Sequence, residues 1–217
     1  MAHSAQRSTA DDARSFDIKR ERRDLYSGRV GRFDLVDVPP MRFLMVDGHG
    51  DPNYAPAYRA AVQSLYSVSY AIRAVAKAEL EQVHTVGPLE GLWYADDPAV
   101  FTSRAKESWR WTMMIWQPDW ITSEIIAAGM DRTATTKPRG TRSQIRCAEL
   151  SEGPAIQTLH VGSYDDEGPV IAQLHEAVIP AHLASPSGPH HEIYLSDPRR
   201  IEATKLRTIL RQPVNLT

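Results

Sequence analysis

A glutamate and a tyrosine two positions apart, Glu192 and Tyr194, lie in the segment 188–198, which reads Gly-Pro-His-His-Glu-Ile-Tyr-Leu-Ser-Asp-Pro. Gly-Pro and Asp-Pro punctuate both ends, and the Ile-Tyr centre favours an extended backbone. In a strand, residues two apart share a face. Glu192 and Tyr194 then point one way, and His191, Ile193 and Leu195 the other. A carboxylate beside a phenol can serve as a general base with a hydrogen-bond donor next to it. The competing reading is a glutamate on the wet face of an edge strand.

The pattern recurs. Segment 87–98, Gly-Pro-Leu-Glu-Gly-Leu-Trp-Tyr-Ala-Asp-Asp-Pro, has the same punctuation with Glu90, Trp93 and Tyr94 inside it. It is one residue longer and carries a central glycine, the mark of a β-bulge. A bulge at Gly91 is expected to bring Glu90 and Trp93 to one face. Two equivalent strands, each with a glutamate and a large ring, predict a pocket at a pseudo-twofold seam, with Glu90 and Glu192 converging on one guest.

The elements that must position these groups follow in order. Residues 1–16 read as a flexible, polar arm. Strands are expected at 31–38 and 41–47, then a turn at 48–53 whose glycine spacing matches no phosphate-cradling loop. A helix over 54–81, capped by Asn53 or Asp51, buries Ala61, Leu65, Val68, Ile72, Val75 and Ala76 at helical spacing. Tyr66 on that helix is placed to reach over the sheet. After the Glu90 strand and a loop at 96–98 comes a strand at 107–116. There Trp111 and Met113 share a face that is either core or the wall of an aromatic pocket. A short helix spans 119–130, and 133–140 is a polar link.

The second half repeats this order: strands at 143–150 and 155–161, a helix within 165–183, the Glu192 strand, and a last strand at 205–211. The expected fold class is α+β, a duplicated β-β-α-β-β, with helices on one sheet face and the other face or the seam open to a ligand. The repeats span about 17–132 and 141–214 of a single domain, 17–214.

Composition narrows the function. The 217 residues carry a net charge of −2, so no basic excess suggests nucleic acid. No apolar run approaches the length that spans a bilayer, and residues 1–23 lack the apolar core of a signal peptide. A cytoplasmic protein is expected. The single cysteine, Cys147, implies no disulfide and reads as a small core or edge residue. His190 and His191 face opposite ways on a strand, a poor chelating geometry, so neither metal nor cofactor is expected. Oligomeric state is not legible.

With both repeats in view, the chain resembles the GyrI-like small-molecule-binding superfamily. The resemblance rests on segments 190–200 and 205–214, supported by 48–53, 88–93 and 109–112. It covers about 17–214 and points to the stand-alone branch, not to transcription regulators. Within that branch the chain is similar to cyclopropanoid cyclohexadienone hydrolases, which open the strained ring of DNA-alkylating antibiotics such as yatakemycin and CC-1065 and so confer resistance. The resemblance implies a flat aromatic substrate, catalytic roles for Glu192, Glu90 and Tyr194, and contacts from Trp93, with Trp111, Met113 and Tyr164 as further candidates. Tyr66 and His191 complete the expected substrate contacts. The alternative is a protein that binds and sequesters a lipophilic or cationic drug without turning it over.

Overall fold

The computed structural model describes residues 15–94, 106–134 and 144–217. The loop expected at 96–98, most of the 133–140 link and the first fourteen residues of the arm lie outside them. Among the described residues nine strands form the sheet system: β1 Asp34–Val38, β2 Met41–His49, β3 Leu89–Tyr94, β4 Arg110–Gln117, β5 Arg146–Leu150, β6 Gly153–Val161, β7 Ala184–Pro186, β8 His190–Tyr194 and β9 Arg207–Leu216. The helices are α1 Ile18–Glu21, α2 Arg23–Tyr26, α3 Pro56–Leu80, α4 Ser123–Ala134, α5 Gly168–Gln173 and α6 Ile179–Ala181. A π-helical stretch, Leu174–Val178, joins the last two. This is the expected α+β duplication.

All strands pair antiparallel in the order β1-β6-β9-β8-β3-β4-β2-β5, with β7 added beside β9. The two halves meet where β8 pairs with β3. The first strand of each half crosses over: β1 pairs with β6 of the second half, and β5 with β2 of the first. The halves are therefore laced together at both edges.

Helix α3 packs Leu65, Val68, Ile72 and Val75 on one sheet face, against Leu44, Val46, Trp111, Met113 and Ile115. Gly129 of α4 touches Ile72, and a Cβ at Gly129 would meet Ile72 Cγ1 at 2.4 Å. The absent side chain is what lets the two helices approach. The α3 N-cap is Ala55, without a side-chain cap. Asp51 instead accepts from the Asn53 amide at 2.8 Å and closes the preceding turn.

The opposite sheet face is covered as well. Leu25 and Tyr26 of α2 and Ile18 of α1 pack on Phe43, Met45, Leu92, Met114, Ile193 and Ile209. The stretch 18–26 thus forms two short helices directly after the expected arm. A cleft opens at the seam on the α3 side.

Strand β3 runs in unbroken register with β4 and β8: Glu90 pairs with Ile193, Gly91 with Glu192 and Trp93 with His190. The expected bulge at Gly91 does not form. A Cβ there would lie 3.1 Å from Trp93 Nε1 and 3.2 Å from the Met113 sulfur. The glycine makes room for neighbouring side chains rather than for an extra residue.

Candidate active site

Strict alternation along β8 sends Glu192 and Tyr194 to the α3 side of the sheet, and the continuous register of β3 sends Gly91 and Trp93 the same way. Glu192, Tyr194 and Trp93 form the floor of a cleft of about 1890 Å³. Its walls are Tyr58 and Tyr66 from α3, Tyr164 and Glu167 from the segment before α5, and His175 from the π-helical stretch, with Trp109 at one end. The rings interlock. Tyr58 stacks on Trp93 at 6.4 Å, Trp109 meets Trp93 edge-on at 5.6 Å, and Tyr164 meets Tyr194 edge-on at 5.5 Å.

A directional hydrogen-bond chain crosses the floor. Trp93 Nε1 donates to Tyr194 Oη at 3.0 Å, and Tyr194 Oη donates to Glu192 Oε2 at 2.7 Å. Accepting this hydrogen bond from Tyr194 fixes the carboxylate's orientation. The Glu192 side chain is 13% exposed, and Oε1 lies 3.9 Å from His190 Nε2. Burial raises the Glu192 carboxyl above the ordinary range, while Tyr194 and the charge of His191 pull it part of the way back. Tyr194 is held neutral by burial and by the Glu192 charge. Burial, with His175 and His191 nearby, pushes His190 down to about 3, so its ring is neutral.

Glu167 is a second cleft carboxyl that the sequence reading did not single out. It is 3% exposed, and burial followed by the charge of Glu192 raises it above the ordinary range. Two carboxyls whose charges oppose each other favour a state in which one keeps its proton. Tyr58, Trp109 and His190 were likewise not among the expected site residues. Glu167 closes the acidic run Asp165-Asp166-Glu167, and only the tertiary fold buries this last member while Asp165 and Asp166 stay exposed.

The remaining expected residues divide. Tyr66, Tyr164, Trp93, Tyr194 and Glu192 line the cleft. Trp111 and Met113 share the sheet face but lie beneath α3 as core, 1% and 0% exposed. Trp111 packs edge-on against Tyr58 at 5.3 Å and donates to the Gly50 carbonyl. Glu90 and His191 face the other side of the sheet. Glu90 is fully buried there, accepting from Tyr26 Oη at 2.8 Å and meeting His191 Nε2 at 3.0 Å. The expected convergence of Glu90 with Glu192 is therefore corrected: without the bulge, the two carboxyls lie on opposite sheet faces.

Among the described residues, no three His, Cys, Asp or Glu side chains are grouped to hold a metal ion. No helix among them is long and apolar enough to cross a membrane.

A duplicated α+β fold with an aromatic, acid-floored cleft at its seam is the architecture of a small-molecule-binding protein. The chain belongs to the GyrI-like family: residues 32–214 match its small molecule binding domain. It is similar to three solved structures from Listeria innocua. One, called an uncharacterized conserved protein, is 34% identical, with a TM-score of 0.84 over 93% of this chain and 100% of the other. Two called hydrolases are 33% and 32% identical, with TM-scores of 0.80 and 0.81 over the same shares. No curated protein matches the chain significantly.

Proposed function

We propose that this protein is a hydrolase that opens the cyclopropane ring of flat cyclopropanoid cyclohexadienones by adding water, and so detoxifies DNA-alkylating compounds of the yatakemycin and CC-1065 type. The observation that carries the reading is the Trp93–Tyr194–Glu192 chain, which aims one oriented carboxylate into a ring-lined cleft. The hydrolase description of two similar Listeria innocua proteins supports the reaction class.

The electrophile is the ring methylene. Glu192 takes a proton from water as the water oxygen bonds to that carbon. The bond between the methylene and the six-membered ring breaks, and its electron pair aromatises the ring and ends on the former dienone oxygen. That oxygen then takes a proton, and the product is the substrate plus one water. The phenols of Tyr58 and Tyr164 face the cleft and supply hydrogen bonds to the oxygen as its charge grows. Tyr194 orients Glu192, and Trp93 with Trp109 stacks the flat guest and excludes bulk water. General-base assistance of this kind is typically worth about 100- to 10,000-fold.

The test uses sub-stoichiometric protein and a cyclopropane-bearing alkylator, with the dienone absorbance followed in time. Loss of many equivalents supports hydrolysis. The breadth of the cleft and its two carboxyls also suit a second reading, sequestration of a lipophilic or cationic drug. Loss or protection that stops at one equivalent would select that reading.

A further inference from the structure

The strand that carries Glu192 carries a second ionisable centre on its far face, and the reaction above does not use it. His191 Nε2 meets Glu90 at 3.0 Å, and its Nδ1 meets Glu152 Oε1 at 2.9 Å. Glu152 Oε2 accepts from Arg211 Nη1 at 3.0 Å. Arg211 also donates through Nε to Gln157 at 3.0 Å and through Nη2 to the Leu25 carbonyl at 2.8 Å. Tyr26 closes the other end on Glu90. Four elements meet β8 here: β3 gives Glu90, the turn before β6 gives Glu152, β9 gives Arg211, and α2 gives Tyr26. The cluster is closed to solvent, the His191 side chain being 0% exposed and those of Glu90 and Glu152 1% and 4%.

Two carboxylates here face an imidazolium and a guanidinium, so the cluster is charge-balanced. Burial works against the imidazolium, but Glu152 and Glu90 outweigh it and hold His191 up at about 9. Burial likewise opposes the Glu152 anion, and His191 and Arg211 hold it down at about 2. The position next to His191 in the chain is Glu192, on the cleft side of the same strand.

We infer that the buried chain Glu90–His191–Glu152–Arg211 is a positioning device for Glu192, one that anchors β8 from behind and whose charges shift the pH at which the cleft carboxyl ionises. This rests on the proposed role of Glu192 as a base. The groups that face Glu192 itself are Tyr194 and His190 on its strand, Trp93 on β3, Tyr58 on α3, Tyr164 and Glu167 before α5 and Lys106 before β4. None of these side chains is itself replaced by a substitution behind the sheet, and burial keeps the His190 ring neutral when the His191 charge is removed. Removing Glu90 leaves excess positive charge there and favours the Glu192 anion. Removing the His191 charge leaves excess negative charge and disfavours it. One unit charge across a strand, at an effective dielectric near 20, is worth a shift of roughly one pH unit.

The experiment is a carbon-13 NMR titration of the glutamate side-chain carboxyls, with the Glu192 signal identified by its loss in E192Q. In E90Q the Glu192 midpoint falls, in H191Q it rises, and in the double variant E90Q/H191Q it returns toward wild type. A merely structural role predicts no such pair of opposite signs. If H191Q does not fold, E152Q replaces it and must move the midpoint in the same direction as E90Q. Midpoints that stay put, or that move the same way in E90Q and H191Q, overturn the inference. No substrate is present in the titration. Failure of hydrolysis therefore leaves this result standing, and unchanged midpoints leave hydrolysis standing.

Discussion

Gly91 stands directly across from Glu192 on the neighbouring strand. The same glycine leaves space for the Trp93 indole, whose nitrogen would lie 3.1 Å from an added Cβ. Gly91→Ala pushes the indole away from Tyr194 while the flexible Met113 side chain yields. A displacement of a few tenths of an ångström at the orienting chain is expected to lower turnover by about tenfold. The thermal midpoint should move little. Steady-state rates and a melting curve on the same preparation check both halves.

Gly48 answers to a stricter constraint. It pairs with Trp111, and a Cβ there would lie 2.0 Å from Trp111 Cη2. The Trp111 ring is held by Tyr58 and by the Gly50 carbonyl, so it has nowhere to retreat. Gly48→Ala should destabilise the fold by about 1–3 kcal/mol, the usual cost of overpacking. Urea unfolding of the variant against wild type measures it.

The ionisable groups predict how stability varies with pH. His191 binds its proton more firmly folded than unfolded. Its contribution is fully present below 6.5 and is lost as pH rises through about 9. Glu167 and Glu192 are also raised, so the folded protein holds their protons more firmly too, and stability falls as pH rises above the ordinary value of 4.5. Glu152 has the opposite sign: its contribution is present above 4.5 and lost as pH falls through about 2. His190, pushed down to about 3, and His84, pushed down to about 4, act the other way, their contributions growing as pH rises to 6.5, so the decline of the urea midpoint should set in above about 6.5 and continue to alkaline pH. Glu167→Gln, which removes one buried carboxyl, should flatten that decline and stabilise the protein at pH 8.

What the sequence made legible was local. Alternation in β8 and in the 107–116 segment, the 3–4 spacing of Leu65, Val68 and Ile72, and the doubled Gly-Pro and Asp-Pro punctuation are short-range patterns, and they delivered the duplicated α+β fold. The exchange of β1 and β5 between halves is a pairing of distant edges and leaves no local mark. Gly91 illustrates a tie decided by packing: a central glycine is as good a sign of a neighbour's bulk as of a bulge. Here Trp93 and Met113 supplied the bulk, which placed Glu90 behind the sheet. Glu167 was hidden in a run of acids, of which only the fold could choose one to bury.

The most direct test of Glu192 as the base is isotope transfer from water. Wild-type protein is incubated with a cyclopropane-bearing alkylator in oxygen-18 water, and the product is analysed by mass spectrometry. The account predicts one labelled oxygen on the former ring methylene with multiple turnovers by wild type, and a rate about 100- to 10,000-fold lower in Glu192→Gln, which remains folded. Equal labelling and equal rates from the two proteins would contradict it.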